Sequence, residues 1–538
     1  MLGPMPVRKL FAFGSVAVLA AALAAAALRP PAVWALAVVL PLFALGWKDF
    51  LQRRHTIMRN FPLVGRGRYW MEVLRPKIYQ YFVESDLNGR PFDRVQRSVV
   101  YQRSKRDLDT TPFGTQLDVY EVGYEWMEHS ILPVPEAEIA HSPRVRVGGP
   151  ACKKPYSASL LNISAMSFGA LSANAVRALN RGARLGGFAH NTGEGSASPH
   201  HLAEGGDLVW QIGTGYFGCR TLDGAFDPGR FKDVASRDAV KMVELKLSQG
   251  AKPGHGGILP AAKNSPEIAA MRGVRPGTKV VSPAGHTAFS TPLGLVEFLG
   301  SLRELSGGKP VGFKLCVGRR SEFVAICRAM LRTGIVPDFV TVDGGEGGTG
   351  AAPVEFSNSV GLPLKEGLAF VHDALVGHGL RKDVRVIASG KVVTGFDVVR
   401  ALALGADLCN TARGMLFALG CIQALECNSN HCPTGITTQD PWLSSGLDVD
   451  DKAGRVRNFH AETVKAASEL FAAGGFREPS EVERRHIFRR VSAVEIRRID
   501  EIYPEVPEGS FLGGDVPEAY RAIVADADPE SFRPAKTV

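Results

Sequence analysis

Three of the eight cysteines lie close together in the stretch "GCIQALECNSNHCPTGITTQ", residues 420–439. Five residues separate Cys421 from Cys427, and four separate Cys427 from Cys432. Zinc sites use cysteine pairs about two to four residues apart with a distant second pair, so this spacing does not indicate zinc. Three neighbouring thiols in a reducing compartment favour iron–sulfur ligation. A [3Fe–4S] cluster would need no fourth protein ligand.

The other cysteines are isolated along the chain. Free cysteines usually behave as small buried apolar residues, and we expect that behaviour here. They are Cys152, Cys219, Cys316, Cys327 and Cys409.

Two loops upstream of the cysteines could bind a phosphate group. "IASGK" and "CNTARG" each follow an apolar run and precede a helical pattern. Backbone N–H groups and a helix start would attract an anion there. Either loop alone is explained by a tight turn, but their position in the last two units of the repeating pattern favours phosphate. The predicted phosphate-binding residues are Ser389, Gly390, Thr411, Arg413 and Gly414.

The elements that carry these loops repeat from about residue 158 onward. Short Val/Ile/Leu runs alternate with helical patterns of ten to fifteen residues, which is typical of a parallel sheet buried on both faces. A span of about 280 residues fits a (β/α)₈ TIM barrel, whose reactive groups follow the strands. No G-x-G-x-x-G motif with a later acidic residue supports a Rossmann fold. Ser172 is expected to cap the first barrel helix.

Charge and hydropathy separate the N-terminal region from the rest. Residues 1–60 hold seven Lys or Arg and one acid, which accounts for +6 of the net charge of +9. The remaining chain has 56 basic and 53 acidic side chains and no basic stripe interleaved with aromatics. Nucleic acid is therefore not an expected partner.

Two uncharged runs, residues 10–28 and 30–47, are each close to the length that crosses a bilayer. Basic residues precede the first run and follow the second, which predicts a hairpin with both ends in the cytoplasm. A cleaved signal peptide is the alternative, since "AALAAAALRP" offers small residues. The second run and the clustered thiols favour a membrane-anchored cytoplasmic enzyme.

The predicted organisation has four parts. Residues 1–49 form the transmembrane hairpin, and 50–150 form a linker and covering subdomain. Residues 151–440 form the barrel with its cysteine loop, and 441–538 form a peripheral helical tail.

Five motifs carry a resemblance to a known family. "ISAMSFGALS", "NTGEGS", "LSQGAKPGHGG", "GGTGAAP" and the cysteine stretch look like the FMN-binding synthase domain of glutamate synthase, in the same order over residues 150–440. The resemblance implies a (β/α)₈ barrel with FMN at its top face. It also implies that the three cysteines hold a [3Fe–4S] cluster, since their spacing equals that of the family.

The resemblance also assigns roles to single residues. It places Ser164, Ala165 and Met166 along the flavin, and Lys314 could put a positive charge near it. It makes Glu194 and Lys252 the catalytic pair that faces a 2-oxo acid, and Arg272 the residue that binds a substrate carboxylate. In the implied reaction, ammonia and 2-oxoglutarate form an imine that the reduced flavin converts to glutamate.

The substrate half departs from the family pattern. "AKPGEGGQLPG" is "AKPGHGGILPA" here, so His255 replaces an acid and Ile258 replaces a glutamine. A stretch that has several prolines and histidines in the family is "SPAGHTAFS" here, which leaves one histidine, His286. Neither a glutaminase domain nor a pyridine-nucleotide fingerprint is visible. Ammonia would then be free or come from a partner, and electrons would come from a ferredoxin-like or other carrier.

Three further interpretations use the same residues. A membrane-linked amine or amino-acid dehydrogenase would keep both cofactors and run in the oxidative direction. A relative of inosinate dehydrogenases would share the phosphate loops but leave the cysteine spacing unexplained. A subunit that only passes electrons would not require Glu194, Lys252 and Arg272, which are all present.

Overall fold

The computed structural model describes residues 7–107 and 110–533. The chain divides into two compact units, one ending at Asp93 and one beginning at Arg94. Each unit is described by itself.

A closed barrel of eight parallel strands dominates the second unit. The strands, numbered in chain order, are β1 Leu161–Ile163, β2 His190–Asn191, β3 Leu208–Ile212, β4 Val240–Lys246, β5 Val311–Leu315, β6 Phe339–Asp343, β7 Arg385–Ser389 and β8 Leu408–Thr411. Each strand pairs with the next, and β8 returns to β1 through Cys409 opposite Leu161. The predicted (β/α)₈ fold is confirmed.

Apolar sequence explains why these strands are buried on both faces. Every residue of β3, β5 and β6 is buried, because the barrel interior lies on one side and helices cover the other. The outer helices are Ala173–Gly186, Pro199–Leu202, Pro228–Ala235, Pro292–Leu305, Arg320–Thr333, Leu364–Gly377, Gly395–Ala403 and Val449–Ala473. Ser172 caps the first helix as predicted, accepting a hydrogen bond from the Ala175 N–H.

An antiparallel hairpin lies at the N-terminal end of the barrel. Its strands, Arg144–Val147 and Tyr156–Ser159, pair directly. Val147, Tyr156 and Ala158 pack in one apolar cluster with residues from the beginnings of six barrel strands or the positions just before them. These barrel residues are Ala189, Val209, Met242, Phe339, Ile387 and Leu408. Because this end is filled, the accessible chemistry lies at the C-terminal ends of the strands.

Segments that precede and follow the barrel in the sequence complete the second unit. The 25-residue helix Val449–Ala473 packs against the helices that follow β1 and β7, so it closes the outer ring. Helix Arg94–Lys105 packs against that long helix. A small sheet joins Glu125–Met127 to Ile487–Arg490 and Ile496–Arg498. The four-part domain division stays a prediction.

Short elements account for most of the loops of the second unit. Two strands, Ile258–Leu259 and Val280–Val281, form a hairpin after β4. The remaining helical pieces are Glu136–Glu138, Ala261–Lys263, Pro266–Arg272, Val354–Ser359, Arg413–Ala418, Pro441–Ser445, Pro479–Glu481, Arg484–His486, Ile499–Ile502 and Glu518–Ala525.

The first unit is helical. Its elements are Val7–Leu28, the 3₁₀ turn Pro30–Ala32, Val33–Leu51, Thr56–Asn60, Arg66–Ile78 and the π-helical turn Tyr79–Val83. Length and apolar composition allow the first two long helices to cross a membrane, although a signal sequence passes the same test.

Candidate active site

The predicted site residues lie at the C-terminal ends of the barrel strands or in the loops that follow. Ser164 follows β1, Glu194 follows β2, and Lys314 is the next-to-last residue of β5. Ser389 ends β7 and Thr411 ends β8. All strands of a parallel barrel end at the same rim. These residues are far apart in sequence but therefore lie around one opening of the barrel.

An ion pair stands at the centre of this rim. Lys246, the last residue of β4, donates from Nζ to Oε2 of Glu194 over 2.7 Å. The Lys246 ammonium also donates to the Gln249 amide oxygen over 3.3 Å. Gly213 and Gly257 lie directly against the carboxylate, since a Cβ at either position would be 2.8 Å or less from a Glu194 oxygen. The glycines therefore permit the close approach of backbone to the carboxylate.

Two further cations act on Glu194. Burial would raise the pKa of its carboxyl, but the charges of Lys246, Arg272 and Lys252 outweigh burial and lower that pKa. Glu194 is therefore ionised at neutral pH. Burial lowers the pKa of the Lys252 ammonium to about 8, against the attraction of Glu194. The structure thus brings Glu194, Lys252 and Arg272 together, and their catalytic and substrate-binding roles stay predictions.

Lys246 was missed at the sequence level. In "VELKLSQG" this lysine stands near the end of a mostly apolar strand sequence. The same pattern in "VGFKLCV" singled out Lys314. The position of a charged residue at the end of a barrel strand could have identified it. Its partner Glu194 is 52 residues away in sequence, and only the closure of the barrel brings the two together.

The residues that depart from the family pattern lie in the same loops. His286 bonds the Tyr216 hydroxyl at 3.0 Å and the Lys246 carbonyl at 2.9 Å, so it supports the end of β4. Burial lowers the pKa of its imidazole to about 4, which keeps it neutral. Ile258 pairs with Val281 in the short hairpin. His255 lies edge-on to the Phe356 ring.

Arg272 is buried at the end of its short helix. Its Nη2 donates to the Phe168 carbonyl over 3.1 Å, and its guanidinium lies 5.1 Å from the centre of the Phe217 ring. Among the residues that the structure describes, its buried Nε has no hydrogen-bond partner. An arginine with a spare buried donor next to a carboxylate suits a substrate that carries its own carboxylate.

Lys314 does not stand alone at the rim. Its ammonium lies 3.4 Å from the Asp343 carboxylate at the end of β6. Asp343 also accepts from the Gly250 N–H over 2.8 Å and thereby ties down the loop that carries Lys252. Both charged side chains are nearly buried. Lys314 therefore offers a positive charge in a fixed position with one carboxylate beside it.

The two predicted phosphate loops are neighbours because β7 pairs with β8. The Thr411 hydroxyl donates to the Val392 carbonyl over 2.6 Å and joins the loops directly. The Ser389 hydroxyl lies 3.3 Å from that of Ser164 across the rim. Gly390 has φ of 157° and Lys391 has φ of 49°, so the first loop turns through a backbone conformation that few side chains adopt.

Arg413 and Gly414 begin a helix of only six residues. The cation therefore contributes more to anion binding than the helix does, since the macrodipole of one turn is small. The Arg413 guanidinium donates to the Glu346 carbonyl over 2.9 Å and packs against Gly348 in the loop after β6. Adjacent hydroxyls, backbone amides and one guanidinium form a donor set suited to a phosphate group.

The three clustered cysteines lie in the irregular loop after this helix. Among the eight cysteines, which are all free thiols, burial raises the pKa of Cys316, Cys327 and Cys409. Cys432 differs, because hydrogen bonds from Thr434 and Thr437 outweigh burial and lower the pKa of its thiol. The thiolate is the form of cysteine that binds a metal. In the same group of three, burial raises the pKa of the Cys421 thiol to about 12.

The cysteine loop holds unusual backbone conformations. Three non-glycine residues in it have positive φ: Gln423 at 55°, Leu425 at 58° and Asn430 at 69°. Such conformations cost about 1–3 kcal/mol each and persist where the surroundings require them. The Tyr101 hydroxyl donates to the Cys421 carbonyl over 2.6 Å, so helix Arg94–Lys105 helps to hold the loop.

A buried lysine fixes the other side of the cysteine loop. Lys263 donates from Nζ to the carbonyls of Cys427 and Thr437 over 2.7 and 2.6 Å, and to that of Ala170 over 3.3 Å. Ala170 belongs to the loop after β1. The lysine therefore joins the cysteine loop to a loop of the barrel rim.

The three thiols do not form a site for a single ion. Within residues 7–107 and 110–533, no group of three or more His, Cys, Asp or Glu side chains has the geometry for one metal ion. Cluster thiolates bind different irons, so they stand farther apart than the ligands of one ion. The three cysteines still influence one another electrostatically, and Gly350 of the loop after β6 adjoins Cys427. Three thiols, sulfur-directed hydrogen bonds and a nearby cation fit a cluster.

Comparison with known proteins identifies the family. Residues 146–477 match the family described as the conserved region in glutamate synthase. The chain is 37% identical over 506 residues to the glutamate synthase large subunit-like protein YerD of Bacillus subtilis (strain 168), covering 86% of this chain and 96% of that protein. The chain belongs to the glutamate synthase family. The predicted family and the predicted class of enzyme, an oxidoreductase, are thereby confirmed.

Relatives that are named glutamate synthase match over a shorter range. The archaeal glutamate synthase (NADPH) of Methanocaldococcus jannaschii is 33% identical over 314 residues, 58% of each chain. The chain thus spans little more than half the length of the curated relatives with that name. Mandelate oxidase gives a TM-score of 0.40 at 15% identity, covering 80% of this chain and 96% of that one. The barrel itself is defined by its strand order.

Proposed function

We propose that this member of the glutamate synthase family is an FMN- and iron–sulfur-dependent oxidoreductase that reduces the imine formed from a 2-oxo acid and ammonia. The observation that carries the proposal is the group of Glu194, Lys246, Lys252 and Arg272 at the barrel rim. One carboxylate among three cations leaves a positive surplus, which suits an anionic substrate with one or two carboxylates.

The charged residues divide the work on the substrate. Arg272, with its unpartnered buried Nε, binds a carboxylate of the 2-oxo acid. The ionised Glu194 stabilises the positive charge that a protonated imine carries. Lys246 holds the Glu194 carboxylate in place at 2.7 Å. Lys252, with a pKa of about 8, keeps its proton at neutral pH and can release it to the product nitrogen.

The reaction balances with two electrons from outside. A 2-oxo acid and ammonia lose water to give the imine, whose carbon then gains hydride and whose nitrogen gains a proton. Bound FMN would supply the hydride, and a bound [3Fe–4S] cluster would supply electrons to it singly from a ferredoxin-like or other carrier. Oxidation of two equivalents of the one-electron carrier thus accompanies each 2-oxo acid converted to an amino acid.

The donor set at the rim would hold FMN. Ser389, Gly390, Thr411, Arg413 and Gly414 supply hydroxyl, amide and guanidinium donors for the phosphate. Ser164, Ala165 and Met166 would lie along the ring system, and Lys314 would face the developing negative charge on it. Cys421, Cys427 and Cys432 would hold the cluster. The Cys427 backbone adjoins the loop after β6, and that loop also contacts Arg413. This short path supports electron transfer between the two cofactors.

The N-terminal helices support membrane attachment. Val7–Leu28 and residues 30–51 have the length and composition of two spans, with basic residues at both outer ends. We place the catalytic unit in the cytoplasm on the charge pattern. The partners are then a small 2-oxo or amino acid, an electron carrier and the membrane.

A second candidate is a membrane-linked amine or amino-acid dehydrogenase that passes electrons to a carrier. Ile258 in place of a polar residue and the two candidate spans favour it. It would use the same rim residues, with Lys252 or Glu194 taking a proton from the substrate nitrogen.

The test is anaerobic purification of the full chain in detergent. The oxidised protein should show a flavin absorption band and the electron paramagnetic resonance signal of an oxidised [3Fe–4S] cluster. After reduction, addition of 2-oxoglutarate with ammonia should reoxidise the flavin and release glutamate. Reoxidation by neither this pair nor other 2-oxo acids, together with reduction by amino acids, would favour the dehydrogenase.

A further inference from the structure

The helix after the two candidate spans combines apolar and basic side chains in an ordered way. It runs over Arg66–Ile78 and continues into the π-helical turn Tyr79–Val83. Trp70 is 69% exposed and Phe82 is 84% exposed. Met71, Leu74 and Ile78 are exposed as well. A soluble surface seldom carries so many large apolar side chains in a row.

Helical geometry sorts these residues by face. At about 100° per residue, four exposed apolar side chains fall within an arc of about 100°. They are Trp70, Met71, Leu74 and Ile78, whereas the exposed Val73 lies outside the arc. The four basic residues flank this arc, two on each edge. Arg66 and Lys77 lie on one edge, and Arg68 and Arg75 lie on the other. Glu72 lies about 150° from the centre of the arc, and it pairs with Arg68 over 3.0 Å.

This arrangement is typical of a helix that lies in the plane of a membrane surface. The apolar arc enters the acyl-chain boundary, and the long side chains of Arg68, Arg75 and Lys77 extend sideways to the phosphate groups. Aromatic rings such as those of Trp70, Tyr81 and Phe82 favour the interfacial layer. A purely protein-facing helix would not need basic residues on both edges of its apolar stripe.

An ion pair ties the helix to the end of the second candidate span. Arg66 donates to both oxygens of Asp49, over 2.8 Å from Nε and 2.7 Å from Nη2. Asp49, near the end of helix Val33–Leu51, is 1% exposed and also accepts from the Leu63 N–H. If the span crosses the bilayer, this pair starts the following helix at the level where the span leaves it.

We infer that residues 66–83 form an interfacial helix that binds the anionic face of a lipid bilayer. The inference rests on the membrane attachment proposed above but not on the reaction. The bilayer is chosen as the partner because the basic edges complement anionic phosphates, at about 1 kcal/mol for each Lys or Arg near the surface. The helix would fix the height and orientation at which the chain leaves the membrane.

The experiment uses the full chain in vesicles with brominated acyl chains, about a third of them phosphatidylglycerol. Trp70 is one of six tryptophans, and Trp34 and Trp47 lie in the hairpin helices. Bromolipids should quench the wild-type protein more than Trp70→Phe, and the remaining quenching of Trp34 and Trp47 reports hairpin insertion. The double variant Trp70→Phe with Glu72→Trp should show no added quenching, because position 72 lies about 150° from the centre of the arc.

Charge supplies the second arm. In the triple variant Arg68→Glu, Arg75→Glu and Lys77→Glu, the quenching of Trp70 (the Trp70 share) should be lost. The quenching of Trp34 and Trp47 (the hairpin share) should remain. Quenching of the hairpin without any Trp70 share would overturn the interfacial helix, including the case in which a protein or second copy covers it. Absence of both shares would overturn membrane attachment itself. Flavin absorbance of each variant checks that the catalytic unit is folded.

Discussion

At the barrel rim, one carboxylate is matched by three cations. Glu194 accepts from Lys246, and the charges of Arg272 and Lys252 also act on it. The backbone of Gly213 and Gly257 lies against the carboxylate, and a side chain at either position would not fit there. An ionised carboxylate in such a setting costs little to keep charged, and it is available to a substrate cation.

The first prediction concerns this ion pair. Glu194→Gln should reduce the rate of imine reduction by about 10²–10⁴-fold, because the protonated imine loses its counter-charge. Lys246→Met should lower the rate as well, since Glu194 loses its anchor. Lys241→Met is the matched control, because Lys241 lies at the opposite end of the same strand and bonds Asp238. Single-turnover flavin reoxidation measures the rates. Equal effects at positions 241 and 246 would contradict a site role.

The second prediction concerns pH. The pKa of Lys252 lies near 8, so its charge is present below pH 8 and is lost above it. Affinity for a 2-oxo acid should therefore fall as pH rises through about 8. Lys252→Arg stays charged and should flatten that profile. The same depressed pKa makes the folded state bind fewer protons than the unfolded state between about 8 and 10.5, so this group favours folding more as pH rises. Titration of substrate by flavin absorbance at several pH values gives the affinity.

Among the elements, the cysteine loop is held from both sides. Lys263 bonds its Cys427 and Thr437 carbonyls, and Tyr101 bonds its Cys421 carbonyl. The loop between these anchors also contains three left-handed residues, Gln423, Leu425 and Asn430. A loop held in this way would position its thiols for the predicted cluster.

The third prediction tests the loop. Cys427→Ser should abolish the electron paramagnetic resonance signal of the cluster and the transfer of electrons from a carrier, while the flavin absorption band remains. Cys327→Ser is the matched control, because Cys327 is buried in helix Arg320–Thr333 and should leave the signal intact. An unchanged signal in the Cys427 variant would remove this residue from the ligand set.

On the scale of the whole molecule, the C-terminal segment is joined to the barrel by a buried pair. Arg484 lies 2.6 Å from Asp373 of helix Leu364–Gly377, and both side chains are 3% exposed. Tyr520 donates to the same carboxylate over 2.7 Å. Removing one partner of a buried pair leaves an uncompensated charge.

The fourth prediction follows from this pair. Arg484→Met should lower the free energy of unfolding by about 3–5 kcal/mol, because Asp373 stays buried without its cation. Arg485→Met, which removes an exposed arginine paired with Glu483, should change it by less than about 1 kcal/mol. Denaturant titration monitored by circular dichroism measures both. A similar loss of unfolding free energy in the two variants would show that the buried pair stabilises the fold no more than the exposed pair does.

Much of the molecule could be predicted from local sequence. Alternating apolar runs and helical patterns predicted the (β/α)₈ barrel, because strand and helix periodicity is a property of neighbouring residues. The family resemblance assigned roles to Glu194, Lys252 and Arg272, whereas local pattern and spacing singled out the phosphate loops and the cysteines. The structure brings the first three together, whereas the FMN and cluster ligands stay predictions. The two apolar runs predicted two long helices for the same reason, since hydropathy is summed over consecutive residues.

Only the tertiary structure decided which distant groups meet. Lys246 reaches Glu194 across 52 residues, Lys263 reaches Cys427 across 164, and Tyr101 reaches Cys421 across 320. Their side chains give no local signal of a partner, since the pairing depends on barrel closure and loop packing. The long helix Val449–Ala473, which belongs to the segment predicted as a peripheral helical tail, likewise packs against the helices after β1 and β7. Sequence determined the elements and their chemistry, and the closed barrel determined their contacts, because contacts between distant residues follow from the whole fold.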